Sequence, residues 1–391
     1  MNPETLKAEI DDWLFQRALP FWRTNGVDRV HGGFVEELTF EGADAASAFK
    51  RTRVACRQVY VFSHAALLGW TEGRSLIDHG CAWLTERAWL GDGFARRTTR
   101  EGDALDPTPD LYDHAFALFA FAWAYQATRE SRWAEWAART HEVIVTRFHP
   151  GAGEGFAHEL PPVGWRRQNP HMHLLEACLA AHKATGDARY AETARSVVGL
   201  FQTRLFQKSS GMLAEYFDED WNPEPGDAGR LREPGHHFEW VWILRECRKT
   251  FDVDLAQPAL ALAVAAERFG VDPASGAVRD AVTETGAVIS GGSRTWPNTE
   301  RIKAGVALGE CAADGAALSP AIDPAAMIEQ SARLLLTRYL RPTGGVSIPA
   351  GGWIDAFDAD GRPTAKTMPA STFYHLFMAL AEARRALGAG N

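Results

Sequence analysis

Residues 230–249 read RLREPGHHFEWVWILRECRK, and the fold is decided there. Pro234 and Gly235 break the preceding segment, and an apolar-periodic helix begins at once. Proline suits the first helical position, because its missing N–H would have no intrahelical partner there. His236 and His237 therefore fall in the first turn. His236 and Glu239, three apart, share a face. A helix N-terminus disfavours an imidazolium, whereas a neighbouring carboxylate favours it and fixes its tautomer. Opposed pulls of this kind hold a histidine near neutral pH, where it works as acid or base. Taken alone, the stretch reads equally as a solvated cap on a core helix. Its recurrence along the chain gives it weight.

Outward from this helix, the 3.6-residue period dominates and few segments look like strands. Helices are predicted near 3–17, 50–70, 74–88, 111–127, 132–148, 170–185, 188–206, 235–250, 254–269, 296–313, 323–340 and 371–387, which makes twelve. The longest predicted loop is 216–233. No Ser/Gly linker or charge run divides the chain, so residues 1–391 read as a single unit. Short glycine-plus-apolar segments begin at Gly33, Gly93, Gly155, Gly211, Gly276 and Gly345, at intervals of 60, 62, 56, 65 and 69 residues. Each interval holds two helices. A recurring spacing of this size implies repeated supersecondary units. Six helical hairpins close into an all-α (α/α)6 barrel, with short β-ribbons or loops on one end. The helix after each ribbon begins with His, Arg or Glu and continues apolar, as in RVACRQVYVFSHA, LYDHAFALFAFAW, NPHMHLLEACLAA and STFYHLFMALAEA. The alternating helices carry an ordinary amphipathic stripe. Polar groups at the starts of six inner helices converge on one pocket.

Composition narrows the partners. The 391 residues carry a formal charge of −9, which argues against nucleic acid or an anionic membrane as the main partner. No apolar run is long enough to span a bilayer. The N-terminal stretch MNPETLKAEIDDWLFQRALPFW carries acids and lacks signal-peptide regions. Five scattered cysteines read as buried free thiols, not a disulfide framework or zinc site. The expected location is the cytoplasm, and the expected state a monomer or homodimer.

Several residues in the inner-helix starts have chemistry of their own. The Arg57 fork suits the oxygens of a polyol; the plainer reading is a core ion pair with Asp110 or Asp113. Asp113 and His114 are adjacent and point apart, so a structural hydrogen-bond role is preferred. Asn169 and His173 share a face and are assigned to ligand binding. His171 points elsewhere, so the spelling HMH does not converge two imidazoles on a metal. Trp296 and Glu300, four apart, offer a stacking face and a carboxylate for sugar hydroxyls. His236 and His375 lie on different arcs of the ring. Moving a proton on a carbon beside a carbonyl needs an acid and a base near neutral pH and no cofactor or metal. No dinucleotide fingerprint, P-loop, GxSxG elbow or HExxH occurs.

RVACRQVYVFSHA, LYDHAF, NPHMHLLEA, PGHHFEW and FYHL, in this order, resemble the N-acylglucosamine 2-epimerase superfamily, which includes mannose isomerases, sulfoquinovose isomerases and cellobiose 2-epimerases. The resemblance covers nearly the whole chain and implies an (α/α)6 barrel. It implies that His375 takes the C2 proton of an open-chain aldose and that His236 is the second acid/base group. Glu239 would orient His236 or bind a hydroxyl. Arg57, Asn169, His173, Trp296 and Glu300 would line the sugar pocket, with Arg230 or Arg232 from the preceding loop. PGHHFEW and STFYHLF look most like the mannose isomerase branch. Phe377 and Met378 stand where cellobiose epimerases carry a basic residue, and TWPNTE departs from the WxxxAE-like pattern of relatives. The expected function is interconversion of free D-mannose and D-fructose, extending to D-lyxose and D-xylulose. The alternative is a 2-epimerase of mannose and glucose, of N-acylglucosamine or of a cellobiose-type sugar. An inverting glycosidase using Glu239 and Glu300 and a non-enzymatic sugar binder are the rival classes, and a phosphosugar is less expected than a neutral one.

Overall fold

The computed structural model describes residues 2–149, 151, 153–251, 253–341 and 345–388. Among these, helices and short antiparallel ribbons account for nearly all regular structure. The six inner helices are Thr52–Leu67, Leu111–Thr128, Gln168–Thr185, Pro234–Thr250, Thr295–Ala313 and Thr372–Gly388. Each packs on the next, and the sixth packs on the first, so the ring is closed. Their sequences are apolar on every side, because one face meets the barrel axis and the other meets an outer helix. In Leu111–Thr128 every residue from Ala115 to Ala122 is buried. The (α/α)6 barrel read from the sequence is the architecture found.

The outer helices carry one buried stripe. Five of them, beginning at Ser75, Ser131, Ala188, Ala256 and Pro324, finish in a π-helical turn at residues 84–88, 144–148, 201–205, 266–270 and 335–339. The first outer helix, Pro3–Asp11, passes through a π-helical stretch, Asp12–Ala18, into Leu19–Asn25. A thirteenth helix, Asp227–Arg230, is a single turn within the predicted loop 216–233. Short strands at Tyr216–Asp218 and Leu231–Arg232 also lie in that loop. All five cysteines are buried and free. No helix among the described residues is long and apolar enough to cross a membrane.

The ribbons stitch neighbouring hairpins together at one end of the barrel. Phe49–Arg51 pairs with Arg97–Thr99, Trp165–Arg167 with Tyr216–Asp218, Leu231–Arg232 with Ala281–Thr283, and Ser293–Arg294 with Ala356–Phe357. Glu37–Thr39 pairs with Thr367–Pro369 across the ring closure. The inner helices at Thr52, Gln168 and Thr295 start directly after such a strand, those at Pro234 and Thr372 within two residues of one, and the helix at Leu111 after a single bridge from Asp110 to Glu159. Five of the six glycine segments sit where the repeat predicts. Gly33 and Gly155 take positive φ, and a Cβ there would lie 2.7 Å from the Trp83 ring and 2.5 Å from the Trp221 ring. The sixth segment differs. Gly345 is not the counterpart; Gly352-Trp353-Ile354 is, because the Ile354 N–H donates to the Tyr339 carbonyl at 2.8 Å, as Ala95 does to Ala88 in the second unit at 2.9 Å.

A side-chain staple recurs with the ribbons. The N–H groups of Phe94, Phe156 and Leu213 donate to Nε2 of His114, His171 and His237 at 3.1, 2.9 and 3.1 Å. Each imidazole in turn donates from Nδ1 to the carbonyl four residues earlier, on Asp110, Arg167 and Glu233. In the fifth unit Asn298 does the same work. Its Oδ1 accepts from the Val278 N–H at 2.9 Å, and its Nδ2 donates to the Arg294 carbonyl at 2.8 Å. These groups satisfy buried backbone at the joint between ribbon and helix.

Candidate active site

The starts of the inner helices enclose a cavity of about 290 Å³ at the ribbon end. Arg57, Tyr112, Asn169, His173, Glu233, His236, Glu239, Arg294, Trp296, Asp355, Ser371, Thr372 and His375 line it. Trp296 stands between two imidazoles, with ring centroids 4.9 Å from His236 and 5.8 Å from His375.

The two imidazoles have opposite surroundings. His236 donates from Nδ1 to Glu215 Oε2 at 2.9 Å, and Glu233 lies 4.0 Å away. Burial pulls its pKa down, but Glu215 and Glu233 outweigh burial and raise it to about 9. Its Nε2 faces the Asn169 amide at 3.1 Å. Asn169 Oδ1 is buried without a partner, so a half-turn of the amide offers an acceptor to a protonated Nε2. His375 donates from Nδ1 to Glu300 Oε1 at 2.8 Å. Burial holds its pKa well below the usual imidazole range, and the nearby Arg57 and Lys303 add to the effect. At neutral pH one imidazole is therefore charged and the other neutral, with Nε2 of His375 unprotonated.

A ring of carboxylates supports them. Glu239 lies on the cavity floor, 4.0 Å from His173 Nε2 and 3.9 Å from Lys303 Nζ, and its Oε1 has no hydrogen-bond partner. Burial raises its pKa well above the ordinary carboxyl range. Glu176 accepts from His173 Nδ1 at 3.0 Å and from the Tyr374 hydroxyl at 2.7 Å. Arg57 donates to the Tyr112 hydroxyl at 2.6 Å and to the Ser371 carbonyl, and lies over the rings of Phe116 and Tyr374. The ion pair with Asp113 belongs to Arg53 instead, at 2.8 Å.

Three predicted roles change on this geometry. Glu239 does not hold His236; Glu215 does, from the turn between Met212–Leu213 and Tyr216–Asp218 in the same unit, because the Nδ1 edge of His236 faces the ribbon and not its own helix. Arg230 does not line the cavity; it is exposed and pairs with Glu284 at 3.2 Å. Arg232 turns back onto the Gly229 and Leu231 carbonyls. The arginine at the rim is Arg294, which donates to Asp280 at 2.9 Å and Glu233 at 3.2 Å. Glu300 sits behind His375, not on the cavity wall. Glu215, Glu233, Lys303, Arg294 and Asp355 went unassigned in the sequence. The acid in LAEYF and the lysine in TERIKAGVAL, each set within apolar neighbours, were the available signals.

Two sets of residues have metal-ligating types with ligand atoms within 4.8 Å of one another: Glu215, Glu233 and His236, and Glu239, Glu300 and His375. In the second set the Lys303 ammonium, 2.7 Å from Glu300, already supplies the cation. In the first, Nδ1 of His236 carries the proton given to Glu215. Neither donor set is a free metal cage. A second cavity of about 200 Å³ opens between the C-terminal halves of the inner helices, walled by Phe119, Trp123 and Trp242. The histidine there, His64, is engaged at Nδ1 with the Tyr60 hydroxyl at 2.9 Å and has no carboxylate partner of its own.

The closed helical ring is the (α/α)6 barrel, with a cavity in its mouth that two buried imidazoles face. The chain belongs to the N-acylglucosamine 2-epimerase (GlcNAc 2-epimerase) family, whose model matches residues 32–379. It is 34% identical over 387 residues to a mannose-6-phosphate isomerase of Rhizobium meliloti (strain 1021), covering 96% of both chains. It is 30% identical over 224 residues to a D-mannose isomerase of Thermobifida fusca, covering 53% of this chain and 54% of that one. The structure of cellobiose 2-epimerase from Spirochaeta thermophila DSM 6192 superposes with a TM-score of 0.84 at 21% identity, over 99% of this chain and 98% of that one.

Proposed function

We propose that the protein interconverts a free aldose and its ketose, D-mannose and D-fructose in the first instance and D-lyxose and D-xylulose by extension. The observation that carries this reading is the pair of imidazoles on either side of Trp296, each with Nδ1 on a buried carboxylate and both lining one cavity. Neutral His375 accepts the C2 proton at Nε2. The electron pair of that C–H bond forms the C1–C2 double bond of a cis-enediolate, and the carbonyl oxygen O1 gains the negative charge. Charged His236, with Arg57 in the same cavity, stabilises that oxyanion and supplies a proton. Delivery of the C2-derived proton from His375 to C1, while the O2 hydroxyl returns a proton to His236 and O2 becomes the carbonyl, gives the ketose. Delivery to C2 from the opposite face gives the epimer, which keeps a 2-epimerase as the second reading. Asn169, His173, Glu239, Trp296 and Arg57 bind the sugar, and Trp296 stacks on its apolar face.

A neutral sugar suits the cavity better than a phosphorylated one. Glu233, Glu239 and Asp355 line it against Arg57 and Arg294, and Arg294 is already engaged by Asp280 and Glu233. A phosphomonoester needs uncommitted donors. The relative named for mannose 6-phosphate makes that sugar the necessary control. Proton NMR of the purified protein with D-mannose in D2O and EDTA tests the reading. Fructose as the first product supports it. Glucose as the early major product moves the assignment to a 2-epimerase. Turnover confined to mannose 6-phosphate overturns the neutral-substrate reading, and no exchange at C2 of either sugar overturns both.

A further inference from the structure

Lys303 is fully buried in the fifth inner helix, three residues after Glu300. A buried ammonium is costly unless it is paired and hydrogen-bonded. Here Nζ lies 2.7 Å from Glu300 Oε2, 3.9 Å from Glu239 Oε1 and 3.4 Å from Met378 Sδ, and 4.6 Å from the centroid of the Trp242 ring. The groups around it come from every packed element: Glu300 from its own helix, Glu239 from the fourth inner helix, Glu176 from the third, and Tyr374 and His375 from the sixth. Arg57 and His173 complete the charged and titratable groups facing His375. Two of the carboxylates each hold one imidazole, Glu300 that of His375 and Glu176 that of His173.

We propose that Lys303 is a positioning residue that keeps Glu300 in the carboxylate form and so holds His375 as the Nδ1–H tautomer, with Nε2 free to take a proton. The inference rests on the proposed role of His375, but its physical content does not. A carboxylate between Nζ and Nδ1 accepts from both. A protonated Glu300 instead donates a hydrogen bond, which Nδ1 can accept only without its own proton, so the ring proton sits on Nε2, the atom that must be empty. Lys303 touches Glu300 and not the cavity, so it acts through the carboxylate. Burial raises the Glu300 pKa and Lys303 pulls it back, which is the balance its removal upsets.

The test is Lys303→Met, which keeps length and removes charge. The expected result is a kcat loss of about 10²-fold at pH 7 with KM within about threefold. The rate recovers as pH rises and Glu300 ionises, so the acid limb of the kcat profile moves up by more than about one unit. ¹⁵N NMR of the histidine side chains shows the Nδ1–H tautomer of His375 in the unmodified protein and Nε2–H in the variant near neutrality. In a Glu300→Gln background, where nothing is left to ionise, the same lysine substitution changes kcat by less than about threefold. An unchanged kcat, a loss equal at every pH, or a His375 tautomer the same in both proteins overturns the proposal. Where Lys303→Met does not fold, the unmodified protein decides. Nδ1–H retained down to pH 5 supports the proposal, and its replacement above pH 6 overturns it. The NMR readout needs no substrate, so failure on D-mannose and failure of this proposal are separate results.

Discussion

The inner helices present two rows of buried histidines, and the rows teach different lessons. His114, His171 and His237 form one row, four residues into their helices, with both ring nitrogens engaged by backbone. His236 and His375 form the other, each with Nδ1 on a carboxylate and Nε2 turned to the cavity. The pair His236-His237 spans both rows with two consecutive residues. An imidazole used up by main-chain groups is a structural joint. One held at Nδ1 by a carboxylate keeps its other nitrogen for what enters the cavity.

The sharpest way to break this contrast is to remove one histidine from each row. His375→Asn is expected to lower kcat by about 10³-fold or more while Tm stays within a few degrees, as steady-state kinetics and calorimetry will show. His237→Ala is expected to lose about 2–3 kcal/mol of stability in urea unfolding, with kcat of the folded fraction within about threefold. An exchange of these phenotypes would dissolve the distinction between the rows.

Acid separates the rows next. Burial holds the pKa of His114, His171 and His237 at about 4, below the imidazole value of 6.5. The unfolded chain therefore binds protons that the folded one does not, and stability falls as pH drops from 6.5 toward 4. Each staple contributes up to about 2 kcal/mol to that loss between pH 7 and pH 5, read by urea midpoints at the two values. His236 has the opposite sign. Its pKa is raised, so its stabilising contribution is present below pH 6.5 and disappears as pH rises through about 9. If charged His236 serves the reaction, kcat/KM falls over the same alkaline window, and Glu215→Gln moves that limb to lower pH. The smallest effect is expected outside both rows. Arg230→Ala is predicted to leave kcat/KM within about twofold and stability within about 0.5 kcal/mol, since it removes an exposed ion pair.

The ring was legible because helix pairs and ribbons repeat, and period is a property of sequence. So were the helix starts that carry Arg57, Asn169, His173, His236, Trp296 and His375, because spacing of three or four residues puts groups on one face. Partners distant in the chain were not. Glu215 reaches His236 from a turn 21 residues earlier, by the fold-back of the loop between them, and Glu176 meets Tyr374 across 198 residues, by ring closure. No local pattern encodes either. Arg230 was misplaced for the same reason: chain proximity to His236 put it at the mouth, whereas the end of the single-turn helix Asp227–Arg230 brings it to Glu284. The sixth glycine segment was misread because Gly345-Val346-Ser347 matches the motif, whereas the hydrogen bond to Tyr339 selects Gly352-Trp353-Ile354.

The seam between the first and last units has a consequence of its own. Glu37–Thr39 pairs with Thr367–Pro369, Arg384 pairs with Asp11, and the helix Pro3–Asp11 lies on the helix Thr372–Gly388. The backbone is open there, but the packing is not. An open array of repeats needs polar caps at its ends, and a closed one has no ends to cap. Joining residues 2 and 388 by a short tether and cutting the chain in an exposed loop between two other hairpins would move the gap without removing a layer of the ring. Such a circular permutant should fold and keep the cavity, because no hairpin in a circle comes first.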